Sequence, residues 1–201
     1  NYGGGLKIQT RDSVNVFYDR LTVQSNGNVG IGTTSPQKKL EVRTGNGELS
    51  HFGSNSANAV GNYTGISLGY AENGNSAYRK VGIVSVGRGD GAARQDLAFL
   101  VDSNADGGSA QLVDTKMRIS HEGYVTMPSQ PYFYTYSTDV NVSYGSGGIL
   151  NFNLIHEEQG SNYSTANKRF TAPVTGVYSF TVIVYGNAGT SNHAFAFHVN
   201  G

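Results

Sequence analysis

The chain has 201 residues, long enough for two small domains or for one domain and a shaft. Lys+Arg and Asp+Glu each number 14, so the formal net charge is zero; no basic face is implied and nucleic acid is not expected as a partner. There is no cysteine and no tryptophan, only 14% of residues are charged, and 28 are glycine, which excludes disulfide staples and leaves Asn, Ser, Thr and Gly to supply the polarity of turns and exposed strands.

No apolar run approaches the length of a membrane span and no signal peptide is visible, so membrane insertion is not expected. The opening residue is Asn1, which suggests a piece of a longer chain. The expected fold class is all-β.

Residues 1–47 open on an internal repeat. Leu6, Ile8, Val14 and Val16 share one spacing with Leu21, Val23, Val29 and Ile31, and the spacing returns in Met117, Ile119, Val125 and Met127. Inside the five residues between the apolar pairs, one fixed position holds Asp12, Gly27 or Gly123, residue types that tolerate positive φ. A three-residue hairpin loop with that position left-handed sets Val23 against Val29 and Leu21 against Ile31, with all four side chains on one face. A two-residue Asn-Gly loop would turn Val29 to the other face and lose half the burial. The repeats are therefore expected to be β-hairpins, or turns of a triple β-spiral, forming a shaft. An isolated two-stranded hairpin is marginal in water, so the twelve repeat residues are expected at the contacts of an intertwined homotrimer.

Residues 48–127 are expected to form a small antiparallel β knob ending in the third hairpin. Ile66, Leu68 and Tyr70 alternate with Ser and Gly, Leu97, Phe99 and Val101 alternate likewise, and Val81 to Val86 is a mainly apolar strand. Met127-Pro128 and Gln130-Pro131 then mark a boundary, because strand interiors rarely accept proline. Residues 128–201 are aromatic: Tyr132, Phe133, Tyr134 and Tyr136 open the segment, and Phe152, Tyr163, Phe170, Tyr178, Phe180, Phe195 and Phe197 follow on expected strands of a sandwich. Tyr132 to Tyr136 offers faces for sugar stacking, but at a boundary the expectation is packing of a neck.

Two stretches carry resemblances. Gly27-Asn28-Val29-Gly30-Ile31-Gly32-Thr33-Thr34-Ser35-Pro36, followed by Lys39-Leu40-Glu41-Val42, resembles a stretch of bacteriophage tail-fibre and related surface-fibre proteins, over about two dozen residues. It implies a fibre shaft assembled as a homotrimer. Phe152-Asn153, Tyr163 and the run Phe170-Thr171-Ala172-Pro173-Val174-Thr175-Gly176-Val177-Tyr178-Ser179-Phe180 resemble the opening half of a complement C1q-type head, the jelly roll shared with the tumour-necrosis-factor group. In that comparison Phe170 is an anchor, Pro173 and Gly176 frame a turn, and Val177 to Val184 form the next strand; the family's domain continues past Gly201, so the head is incomplete here. Together the resemblances imply a receptor-binding component of a virion tail fibre, outside the cell, whose partners are a host-cell surface glycan or protein and other tail or fibre proteins. The alternatives are a bacterial surface adhesin or appendage, built from the same repeats, and a polysaccharide-degrading tail spike.

Candidate chemistry is sparse. Asp102-Ser103-Asn104-Ala105-Asp106-Gly107 matches the start of an EF-hand-type loop, with Asp102, Asn104 and Asp106 as calcium ligands, but the twelfth position is Val113 rather than Glu; a metal-free polar turn is expected and no cofactor. Arg88-Gly89-Asp90, between Gly87 and Gly91, is the tripeptide integrins read and is expected to be a turn. His51, His121, His156, His193 and His198 show no zinc spacing, and His156-Glu157-Glu158 is expected to be a polar loop. Asp90, Asp96, Asp102 and Asp106 are the carboxylates available for a glycosidase pair, but the expected protein is not an enzyme and no catalytic residue is named.

Overall fold

The computed structural model describes residues 4–54, 59–70, 78–139, 144–145, 147–185 and 196–198. The described chain is mostly β, without an α-helix, and is built of several small sheets that are antiparallel except for one parallel pair; none closes into a barrel. It divides into two units, Asn1–Pro128 and Ser129–Gly201.

The first sheet of the first unit holds β1 (Leu6–Arg11), β2 (Phe17–Val23), β3 (Val29–Ile31) and β4 (Leu40–Val42) in that order. The β2–β3 hairpin has the three-residue loop that its spacing predicts. Val23 pairs with Val29 and Leu21 with Ile31, the Gln24 and Asn28 backbones close the loop, and Gly27 sits at φ 80°. The third copy does the same: Ile119 pairs with Val125, and Gly123 sits at φ 92°.

The first copy departs from this pattern. Its turn spans residues 12–16, and Asn15, not Asp12, takes the positive φ, at 67°. The Asp12 carboxylate instead caps the turn, its Oδ1 accepting from the Val14 and Val16 amides at 2.9 Å each and its Oδ2 from the Tyr18 hydroxyl. Satisfying two backbone donors with one side chain outweighs a left-handed Asp, and Asn tolerates that region equally well. Leu6 therefore pairs with Val23 and Ile8 with Leu21, while Val14 and Val16 lie in the turn rather than on the strand face expected for them.

From Ile31 the chain folds back to lay β4 parallel to β3, with Val29 opposite Leu40 and Ile31 opposite Val42. The return loop covers one face of the sheet, with Thr33 and Pro36 buried there. They lie so close to Gly30 that a Cβ on it would sit 3.0 Å from the Thr33 methyl and 3.3 Å from Pro36 Cδ.

The second sheet is an antiparallel meander of β5 (Tyr63–Leu68), β6 (Val81–Gly87), β7 (Gln95–Val101), β8 (Thr115–Ile119) and β9 (Val125–Thr126). It ends on the third hairpin. One face is its core: Val84, Val86, Ala98 and Leu100 are buried beneath Tyr63, Ala110 and Leu112, the last on a single 3-10 turn, Leu112–Asp114. The alternating residues that stand out in the sequence, Ile66, Leu68, Leu97, Phe99 and Val101, occupy the other face. Tyr70 lies past the end of β5, exposed.

The second unit contains two short antiparallel pairs, β10 (Tyr132–Tyr136) with β11 (Leu154–Gln159) and β12 (Tyr163–Ser164) with β13 (Arg169–Phe170). Three expectations change here. His156-Glu157-Glu158 is strand, not loop, because it pairs with the aromatic strand opposite. Val177 to Val184 forms no strand: no other described segment supplies a ladder to it, and Val177 is fully exposed. Phe152 and Phe197 are likewise outside strands, whereas Phe195 lies outside the described residues. An aromatic cluster holds this unit. Phe133 stacks on Tyr163 at 4.9 Å and on Phe170 at 5.2 Å, and Phe180 meets Phe170 at 5.5 Å.

Candidate functional site

Strand geometry sends alternate side chains to opposite faces, so the registers fix what each sheet presents. In the first sheet Leu6, Ile8, Leu21, Val23, Val29, Ile31, Leu40 and Val42 share one face. Every one is aliphatic. The return loop covers the opposite face, and this one is left open: Leu6 is 58% exposed, Ile8 52%, Ile31 44%, Leu40 64% and Val42 41%. Six of the eight are the expected interface residues. Leu40 and Val42 were not among them, and the signal was there: an apolar-Glu-apolar alternation directly after the return loop. Val14 and Val16, in the turn, do not join the face.

Met117, Ile119 and Val125 fall on the open face of the second sheet, beside Phe99 and Leu97 of β7, and Met127 follows at the end of β9, half exposed. Among the described residues only five hydrophobic side chains are buried, Val84, Val86, Ala98, Leu100 and Tyr163, against thirty-five large ones left exposed. Exposed apolar residues scattered singly are ordinary; two sheet faces with contiguous apolar side chains are not.

The polar groups are tied to one another. Asp96 is buried on the covered face of the second sheet, where its carboxylate accepts from Arg118 Nε at 2.8 Å, the His121 amide at 2.9 Å and Arg88 Nη1 at 3.3 Å. Burial pushes its pKa up, but the His121 amide and the two guanidiniums outweigh that and hold it below the usual carboxylate range. This pairing engages the arginine of Arg88-Gly89-Asp90. Asp90 closes its own turn on the Ala92 amide at 3.0 Å and binds Arg94 at 2.8 Å, so the tripeptide forms a tied turn, as expected of it.

In the loop from Asp102 to Gly107, two of the three proposed calcium ligands do converge, but on Lys80. Its Nζ lies 2.6 Å from Asp102 and 2.7 Å from Asp106, so an ammonium stands where the cation would. Asn104 contributes its backbone amide to Asp102. Lys80 holds both carboxylates below their usual range, helped by the amides of Asn104 and Gly108, and is itself raised by them. No group of three or more His, Cys, Asp or Glu among the described residues is placed to hold a metal ion.

The four aspartates available for glycoside cleavage are thus spoken for, and all four are shifted downward. A glycosidase acid needs the opposite shift. His51 and His198 are exposed, His156 stands edge-on to the Tyr134 ring at 5.1 Å, and His193 lies outside the described residues. His121 is partly buried, and its Nδ1 lies 3.3 Å from a Glu122 carboxylate oxygen without hydrogen-bond geometry. The Tyr132 to Tyr136 strand divides its side chains: Phe133 enters the aromatic cluster, while Tyr132, Tyr134 and Tyr136 are 49%, 58% and 42% exposed. No protein-family model and no curated protein matches the chain.

Proposed function

We propose that this chain is a structural and receptor-binding segment of a homotrimeric fibre of the bacteriophage tail-fibre type, acting in host attachment at the virion surface. The observation that carries the reading is the open face of the first sheet, where eight aliphatic side chains face one way and, among the described residues, five of them stay 41–64% exposed. Three copies closing these faces around one axis would bury all of them and leave the polar, loop-covered faces outside. A shaft of this kind needs no catalytic centre, and no side chain is assigned one. The jelly-roll head that the Phe170 to Phe180 run resembles is the receptor-facing part of the proposal, with a cell-surface glycan or protein as its ligand.

The test is the molar mass of the folded chain in solution, by light scattering on a size-exclusion column at micromolar concentration. A mass of three chains is expected; a stable folded monomer overturns the reading. Immunogold labelling with antibody to this chain then distinguishes a phage tail from a bacterial appendage.

A further inference from the structure

The second sheet has a covered face and an open one, and no charged residue takes a paired register position on the open one; Lys116 lies in the bulge opposite Phe99 and Leu100. The register puts Thr64, Ile66, Leu68, Val81, Ile83, Ser85, Gln95, Leu97, Phe99, Val101, Met117, Ile119 and Val125 there, none of them charged, whereas Asp96 and Arg118 of the same strands point to the covered side. Ile66 remains 42% exposed, Leu68 54%, Val101 42% and Val125 52%.

We infer that the open face of the second sheet is a contact between copies of this chain, packed against the same face of its neighbours around the fibre axis, so that the knob belongs to the axis and turns its Asp96 side outward. The inference rests on the fibre reading above. Two arguments choose copies of the chain over a foreign partner. The first is the repeated module. The third hairpin shares with the β2–β3 hairpin its spacing, its three-residue loop and its left-handed glycine, and in each case the paired apolar residues fall on the open side of the sheet, Leu21, Val23, Val29 and Ile31 in one and Met117, Ile119 and Val125 in the other. A module that meets its own copies in one sheet has the same chemistry to offer in the other.

The second argument is area. The five strands hold 6, 7, 7, 5 and 2 residues; at about 3.3 Å per residue and about 4.8 Å between strands they span roughly 400 Å². That is about half of what one partner buries in a standard stable interface. Alone the face is too small to hold a separate protein firmly; added to the open face of the first sheet, it completes an interface of ordinary size. A face with no charge at its paired positions also suits self-packing, since a charge there would meet its own sign across the axis.

The experiment uses the full chain, which has no native cysteine. Leu97→Cys places one thiol at the middle of the open face, and Thr126→Cys places one on the covered side, where Thr126 is exposed opposite Arg118. Sheets packed face to face lie about 10 Å apart, within reach of a short bis-maleimide. Within an assembly the effective thiol concentration is about millimolar, so linking at Leu97→Cys should run roughly a hundredfold faster than at Thr126→Cys in about ten micromolar protein. Val101→Cys, at a 42% exposed position, repeats the measurement should Leu97→Cys fold poorly. A three-chain mass with no such difference at either position overturns this inference and leaves the shaft reading standing. A folded monomer overturns both.

Discussion

Replacing Val29 with Asp puts the shaft reading under the most direct strain. Val29 lies half-buried on the open face of the first sheet, between Val23 and Leu40. The margin it acts on follows from exposure. Leu6, Ile8, Ile31, Leu40 and Val42 are between 41% and 64% exposed, together about two and a half side chains' worth of apolar surface. Burying that is worth about 4–8 kcal/mol per copy, before the ordering and association costs that reduce it. An aspartate in a closed seam must give up its charge, which at neutral pH means lifting its pKa by about 3 units, or about 4 kcal/mol, and the lost valine adds about 1.5 kcal/mol. The penalty matches the gain, so Val29→Asp should abolish assembly. Val29→Ala, short of two methyl groups, should lose only about 1.6 kcal/mol per copy and stay assembled. Light scattering with far-ultraviolet circular dichroism reads both mass and fold. Val29→Asp retaining the mass and thermal stability of the unmodified chain would refute the argument.

Three further outcomes test separate parts of the structure. Asp96→Ala orphans the His121 amide and frees two arginines that water partly reaches, so unfolding in urea should show a loss of about 2–4 kcal/mol. Because the folded state depresses the Asp96 pKa, its stabilisation is complete above the unfolded value of about 3.9 and disappears as the pH falls through the lower folded value; the acid limb of the melting-temperature profile should flatten in the variant. Gly65→Ala builds a Cβ into the Ile83 carbonyl, and should raise hydrogen exchange across the β5–β6 ladder while leaving the β2–β3 hairpin unchanged. Calcium at about millimolar concentration should leave the melting temperature of the unmodified chain unchanged, since Lys80 already neutralises Asp102 and Asp106; only in Lys80→Ala should calcium raise it.

What the sequence discloses depends on whether one residue or a distant partner decides the structure. Gly27 and Gly123 are legible because a three-residue loop needs a left-handed residue at one place, and glycine supplies it without strain. Asp12 and Asn15 are not, because both tolerate that conformation and the choice falls to a carboxylate that caps two amides. The faces of the second sheet are hidden for another reason: Leu97 to Val101 is apolar at every position, so alternation alone cannot separate the core residues Ala98 and Leu100 from the open Leu97, Phe99 and Val101. The fate of the Asp102 loop is set by Lys80, twenty-two positions earlier, and no local pattern reports such a partner. Val177 to Val184 carries strand composition, but composition does not provide a neighbour to pair with.

The second unit raises a sharper question, because its strands alone do not account for it. Two-stranded pairs are marginal in water, and β10–β11 and β12–β13 are each no more than that. Besides the Tyr163 amide donating to the Glu158 carboxylate at 2.8 Å, what joins them is Phe133, whose ring stacks on Tyr163 of β12 and on Phe170 of β13 and reaches Phe180 beyond them. Its neighbours along the strand, Tyr132 and Tyr134, are about half exposed and bear no such load. Truncating them should therefore be nearly silent, within about 0.5 kcal/mol. Phe133→Ala should cost about 3 kcal/mol, the low end for a large aromatic because its site is only partly enclosed, and most of the loss should fall on the second unit. Hydrogen exchange separates the outcomes. Protection across β10–β11 and β12–β13 should fall together in Phe133→Ala, while β6 and β7 keep theirs. Equal effects from Phe133→Ala and Tyr132→Ala would mean that something other than the aromatic cluster holds the unit.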